Sequence, residues 1–378
     1  MLKRFSSLFL LQLVSLLAFG QREILYVGTY SVRGSQGIYV YEFDRKSATF
    51  NLLQTVSTPT SPTFVTIHPS GKYLYSVNRG GMPGKTNFGS VSSFSIDQSS
   101  GMLTLINQQS SLGRDPSHIS TDRSGRLAFI TNYNEANLVV YRIASDGSLG
   151  IMSDSVQFTG SSIDPSRQQS PHPHFSMPSP DNNFLLLTDL GTDKIHSFTI
   201  DPLEGKIRPS QQKFVTVHPG SGPRHLAFDP DGRHVYVAEE LSSTVAAFSF
   251  AKKTGELVLL EDTVRSLPAD FTGDNTAADI HTDASGKYLF MSNRGHESIS
   301  VFEVSKSGDL RLKNTVNVKG QKPRNFLVDG KNQFLLVANQ DTDNIVMFRL
   351  DSSKGILEET PVQIRMPSPA CLKMLSLK

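Results

Sequence analysis

The sequence predicts an all-β fold: a seven-bladed β-propeller, four antiparallel strands per blade, with the ring closed by the C-terminal strand joining the N-terminal blade. Three observations predict it. A unit of about 50 residues recurs with fixed internal offsets. Within each unit, short segments of alternating Val, Ile, Tyr and Phe are separated by Gly, Asn, Asp and Ser clusters, which is the pattern of strands and hairpins. The two ends of the chain carry complementary halves of one unit.

Residues 1–20 stand outside this pattern. Lys3 and Arg4 precede an apolar stretch over residues 8–17, and Ala18-Phe19-Gly20 precedes Gln21. This is the layout of a secretory signal peptide. Gln12 and Ser15 interrupt the stretch, which is too short for a membrane span of ~20 residues. Cleavage after Gly20 is expected, so residues 21–378 form a single propeller domain that is exported, periplasmic or secreted. Removing Lys3 and Arg4 from the 37 basic residues balances the 35 acidic ones. A near-neutral chain with no basic run offers no footprint for nucleic acid. No membrane contact is expected after cleavage, and a monomer is expected. The lone Cys371 excludes an internal disulfide framework and a Cys-based zinc site.

The repeat aligns on Pro62, Pro116, Pro173, Pro223, Ala277 and Pro323. Nine residues later stand Gly71, Gly125, Asn182, Gly232, Gly286 and Asn332, and sixteen residues later Asn78, Asn132, Asp189, Glu239, Asn293 and Asn339. The Pro opens strand A, the Gly/Asn marks the hairpin, and the polar residue ends strand B. Strand C carries a fixed aromatic (Tyr41, Phe94, Tyr141, Phe198, Phe248, Phe302, Phe348), and a polar turn leads to strand D. Glu23-Ile24-Leu25-Tyr26-Val27 reads as a strand B with no A before it, and Ser368-Pro369-Ala370-Cys371-Leu372 as an A with no B after it. Joining them closes the ring and removes exposed sheet edges.

Strand A is innermost and antiparallel to B, so A starts and B ends share one face around the central channel. One position past the Pro, the A starts give Thr63, Ser117, His174, Arg224, Ala278, Arg324 and Ala370. One position past the polar slot, the B ends give Arg79, Tyr133, Leu190, Glu240, Arg294 and Gln340. Four arginines, a histidine and a glutamate should therefore converge. Arginine forks suit carboxylate or phosphate, and His174 with Glu240 supplies an acid/base pair. The candidate catalytic set is His174, Glu240, Arg224 and Arg294. His172, Arg324, His225, Asp279, His296 and Arg79 are candidate substrate-binding residues.

Each has a structural alternative: salt bridging between blades for Arg324 and Arg79, and hydrogen bonding to a neighbouring blade for His118 and His225. His172/His174 and Asp279/His281 form close pairs, but no spacing fixes further ligands, so no metal or other cofactor is expected. The connections over residues 154–170, 262–276 and 79–89 are long enough to cover a rim site.

At these residues the sequence resembles the lactonase family of seven-bladed propellers, which includes propeller-type 6-phosphogluconolactonase and carboxy-cis,cis-muconate cyclase. The most specific pieces are Pro171-His172-Pro173-His174, Asp189-Leu190-Gly191, Gly222-Pro223-Arg224-His225, Ser292-Asn293-Arg294-Gly295-His296 and Ala338-Asn339-Gln340-Asp341. The resemblance implies an active-site set of His174 (or His172), Glu240, Arg224 and Arg294. The leading expectation is a 6-phosphogluconolactonase-like hydrolase whose partner is an anionic small-molecule lactone, a sugar lactone, with Glu240 activating water, His174 protonating the leaving oxygen, and Arg224 and Arg294 holding the substrate anion and the developing oxyanion. Alternatives are a lactonising cyclase of carboxylated dienes and an exported propeller that binds carbohydrate or protein without turnover. Glu239 departs from the family pattern, which carries Asn there; an acid at this place would raise the pKa of Glu240 or cap the turn.

Overall fold

The structure, a computed structural model, describes residues 22–58, 60–80 and 87–377. The expected signal peptide lies outside the described residues, as do Gly81 and Gly84 of the third long loop. The described residues form seven four-stranded antiparallel sheets arranged as blades in a ring. No helix among them is long and apolar enough to cross a membrane. Six blades are continuous in sequence. The first is composite: its strands in spatial order are Pro369–Ser376, Glu23–Thr29, Gly37–Asp44 and Thr49–Ser57. The closing strand pairs Val27 with Leu372 and Glu23 with Ser376. Cys371 lies in this strand, fully buried, and burial pushes its thiol up to about 11.

Each inner strand contacts the inner strands of both neighbouring blades. The strands that matter for the site are A of blade 3 (Pro116–Thr121), blade 4 (Pro173–Pro178), blade 5 (Pro223–Phe228), blade 6 (Thr276–Thr282) and blade 7 (Pro323–Val328). The nine-residue offset has a backbone cause. Gly71, Gly125, Asn182, Gly232, Gly286 and Asn332 all adopt φ between 53° and 72°, the left-handed region that Gly and Asn tolerate.

The polar slot ending strand B is structural. Asn78, Asn132, Asp189, Glu239, Asn293 and Asn339 are all fully buried. Asp189 accepts from the backbone N–H of His172 (2.6 Å) and Gly191 (3.0 Å), and Asn293 donates to Ser300 Oγ (2.7 Å).

Neighbouring blades interlock through the turns between strands C and D. A Cβ on Gly147 would lie 2.2 Å from the Tyr73 ring of the preceding blade, and one on Gly255 2.4 Å from Phe184. Glycine at these turns lets an aromatic ring of the preceding blade lie flush against the backbone.

The start of strand A carries the feature that makes the site. Pro173 pairs with Asp189 but Phe175 with Thr188, so His174 has no partner across the ladder. The same shift isolates Arg224 between Pro223 and His225, Arg324 between Pro323 and Asn325, and Ser117 between Pro116 and His118. These are β-bulges. A bulge leaves one residue out of the ladder and re-aims its side chain. Proline, which has no N–H to donate, is at home beside it on an inner edge strand.

Candidate active site

The bulged residues and the B ends meet in one cavity of about 800 Å³ at the mouth of the ring. His174, Arg224, Glu240, Arg294, Arg324 and Arg79 all line it, as the repeat register predicts. Its charge is lopsided: Arg79, Arg167, Arg224, Arg294, Lys322 and Arg324 face Glu240, Asp274 and Glu297.

Glu240 sits at the centre of three arginines. Its Oε2 is 2.8 Å from Arg224 Nε and 3.0 Å from Arg294 Nη2, and its Oε1 accepts from Arg167 Nη2 at 2.8 Å. Burial alone would raise this carboxyl, but Arg294, Arg224 and Arg167 together hold it far below the usual carboxylate range. Arg224 also donates to Ala278 O (2.6 Å), and Arg294 to Ala277 O (2.8 Å). Burial, with Arg294 and Arg324 nearby, brings the Arg224 guanidinium down to about 9. It remains charged at neutral pH.

His174 is buried, with Nδ1 lacking any partner among the described residues. Burial, then the charges of Arg224 and other cations around it, keeps it neutral well below the ordinary imidazole value. This differs from the acid/base assignment expected above. The same cations lower the basicity of both groups; the difference is geometric, since both Glu240 oxygens are engaged by guanidinium groups while the neutral His174 imidazole has a nitrogen with no partner among the described residues.

Arg324 has no carboxylate partner among the described residues, and its guanidinium lies 5.2 Å from the centre of the Tyr30 ring. Arg79 is ion-paired with Asp115 (3.1 Å) and donates to the Tyr30 phenol oxygen (2.9 Å). Burial would raise the Tyr30 phenol, but Arg324, Arg79 and Arg224 outweigh it and hold the phenol below its ordinary value.

Four candidate substrate-binding residues lie elsewhere. His172 is not bulged; its ring stacks on Tyr133 (4.2 Å between centroids) and its Nδ1 meets Tyr133 O. His296 turns to Ser298 Oγ (2.7 Å) and the edge of Phe271. His225 and Asp279 lie below the cavity in the channel, joined across blades at 2.7 Å. That is the neighbouring-blade hydrogen bond given above as the alternative for His225. Among the described residues no three His, Cys, Asp or Glu side chains are arranged to hold a metal ion.

Two residues were missed. Arg167 lies in the connection between blades 3 and 4, outside the repeat register. That connection starts later than expected, because strand D of blade 3 runs through Gln157. Asp193 fastens it, accepting from Ser162 Oγ (2.5 Å) and Gln168 Nε2 (2.8 Å). Tyr30 is the seventh B end: Thr29 pairs with Pro369, which puts Tyr30 in the slot of Arg79 and Glu240.

Residues 24–374 match the family described as "Lactonase, 7-bladed beta-propeller". The chain belongs to the lactonase family of seven-bladed β-propellers. This is the family, and the class of lactone hydrolases, that the motifs implied. A 6-phosphogluconolactonase of Bacillus subtilis is 33% identical over 351 residues, covering 93% of this chain and 97% of that protein. A 6-phosphogluconolactonase of Formosa agariphila is 37% identical over 359 residues, covering 93% and 99%. Among solved structures, the periplasmic gluconolactonase PpgL of Pseudomonas aeruginosa superposes with a TM-score of 0.88 at 33% identity, covering 94% of this chain and all of that one.

The departure at Glu239 has a definite effect. Thr244 Oγ1 donates to it at 2.5 Å, and its other oxygen has no partner among the described residues. Burial, with the charges of Asp262 and Asp193, pushes this carboxyl up to about 7. Between pH 4.5 and 7 the folded protein thus keeps a proton that the unfolded chain has lost, so stability falls as pH rises through this window. The loss is expected to reach about 3 kcal/mol above pH 7. Glu239→Gln should flatten this part of the stability–pH curve and leave the protein more stable than wild type at pH 8, as measured by urea unfolding at pH 5 and 8.

Proposed function

We propose that the cavity hydrolyses an anionic sugar lactone. The observation that carries this reading is the excess of arginine around a neutral His174, with Arg324 free of any carboxylate partner among the described residues. In this reading Arg324 and Arg79 hold the substrate anion. His174 takes a proton from water as its oxygen attacks the lactone carbonyl carbon. Arg224 and Arg294, held by Glu240, stabilise the developing oxyanion. The ring C–O bond breaks, and the His174 proton passes to the leaving ring oxygen. The new carboxylic acid ionises, releasing one proton per turnover. The names of the relatives favour hydrolysis over cyclisation and over binding without turnover. The name of PpgL, with the amino-terminal pattern of the sequence, favours export to the periplasm.

The test is a pH-stat screen of the mature protein on 6-phosphorylated and unphosphorylated aldonolactones, with and without chelator. Acid release faster than the uncatalysed rate supports the reading; none on any lactone overturns it. Arg324→Met then reports the anion subsite. A hydrogen bond to a charged group is worth about 1.5–3 kcal/mol. KM for the phosphorylated lactone should therefore rise roughly 10- to 100-fold, with kcat changed little and the neutral lactone unaffected.

A further inference from the structure

Beneath the large cavity the channel holds a cluster of buried histidines that the mechanism above does not use. A second, small void of about 10 Å³ continues downward, lined by His174, Arg224, Arg324 and Ser117 from the floor of the large cavity, and by His225 and Asn325 below. By volume it has room for one water molecule. The His174 and His225 rings meet edge to face across it, 5.3 Å between centroids.

The protonation of His225 is fixed from below. Asp279 is buried and surrounded by donors: the Ile280 N–H (3.0 Å) on Oδ1, and on Oδ2 the Phe326 N–H (3.2 Å), His281 Nε2 (2.9 Å) and the Asn325 amide. A carboxyl in such a ring of donors is an ionised acceptor. His225 Nδ1, 2.7 Å from Asp279 Oδ1, must therefore carry the proton. Its Nε2 then has a lone pair and no protein partner among the described residues. His118, 6.2 Å away between centroids, is fixed in the opposite sense, because the Ser176 N–H donates to its Nδ1 (3.3 Å). Phe64 and Phe175 pack the remaining sides of His225. The charged groups nearest to it are thus Asp279 and Arg224, with His281 behind Asp279.

We propose that His225 and Asp279 are positioning residues for His174: Asp279 holds His225 with its lone pair on Nε2, and this nitrogen accepts, through one water in the void, the hydrogen bond that carries the N–H of His174. The other His174 nitrogen then keeps its lone pair for the large cavity. The arrangement supplies what His174 otherwise lacks, since a neutral imidazole with no partner for its N–H is free to flip and to exchange tautomers. Asp279 and His225 touch no substrate; they act through His174. The inference rests on the reading of His174 as the base.

Two kinds of measurement test it, one independent of turnover. In the full-length mature protein with ¹⁵N-labelled histidine, two-bond ¹H–¹⁵N correlations read each tautomer, and His225→Gln assigns the His225 signals. The expected result is a neutral His225 protonated at Nδ1. A His225 protonated at Nε2 overturns the proposal whether or not any lactone is hydrolysed. The kinetic arm compares His225→Leu with His225→Gln, because Gln can still donate to Asp279 and accept from the void. His225→Leu should lower kcat roughly 10- to 100-fold with KM within about threefold, and His225→Gln should recover most of that loss. Asp279→Asn, whose amide can donate, should lower kcat similarly and move the histidine tautomer signal. Should Asp279→Asn not fold, the His225 pair decides. Equal, near-wild-type kcat for the Leu and Gln variants would overturn the proposal, while a fall in kcat for Glu240→Gln and a rise in KM for Arg324→Met would leave the lactonase reading intact.

Discussion

Glu240→Gln is expected to lower kcat roughly 10²- to 10⁴-fold on the best lactone, the range typical of losing one well-placed catalytic interaction, while KM for an anionic substrate stays level or falls. The opposite directions follow from the geometry. Glu240 uses both oxygens to hold Arg224, Arg294 and Arg167. Without its charge these guanidinium groups repel one another and lose the alignment needed at the oxyanion. The cavity also becomes more cationic, which favours an anion in the ground state. Binding that improves while turnover collapses is the mark of a group that serves the transition state. Stability should fall too, because removing one partner of a buried ion pair costs about 3–5 kcal/mol. Inorganic phosphate should restore more of that stability to the variant than it adds to the wild type. Steady-state kinetics and thermal melts with and without phosphate check both parts, and wild-type kcat in the variant would remove Glu240 from the mechanism.

Truncating the chain after Met366 is expected to abolish folding. The closing strand Pro369–Ser376 covers one side of Glu23–Thr29, where Leu25 and Val27 are fully buried, and itself buries Ala370, Cys371 and Leu372. Exposing Leu25 and Val27 costs about 1.5–3 kcal/mol each, and the burial contributed by Ala370, Cys371 and Leu372 is lost with the strand. The lost ladder hydrogen bonds and an open sheet edge add to this, against a total stability of about 5–15 kcal/mol. Size-exclusion chromatography and circular dichroism of the truncated protein should show aggregate or unfolded chain; a soluble monomer with a cooperative melt would mean that six blades suffice.

The fold was legible because its causes are local. A left-handed turn needs Gly or Asn, and a bulge on an inner edge suits Pro, so Gly or Asn marks the same offset in all six continuous blades and Pro opens five of them. The register also placed His174, Arg224, Glu240, Arg294, Arg324 and Arg79 together, since equivalent positions on a ring share one mouth. Three things were not legible. Arg167 lies on a connection with no counterpart in other blades, so no offset leads to it. Tyr30 belongs to a strand whose partner comes from the far end of the chain, and counting from Pro62 passes it by. The state of Glu240 depends on how many guanidinium groups reach its two oxygens, which spacing does not reveal. The choice between His172 and His174 turns on the bulge, which excludes His174 from the ladder and leaves His172 stacked on Tyr133.

The bulges also bear on how such a protein can change over evolutionary time. A residue outside the ladder is under little pressure from strand pairing, and here it lines the cavity at the mouth of the ring. Ser117, His174, Arg224 and Arg324 thus form a row of sites around one opening, each outside the ladder of its own blade. New specificity can be gained by exchanging side chains in this row, one blade at a time, while the hairpins, glycine turns and closing strand that hold the ring are left untouched.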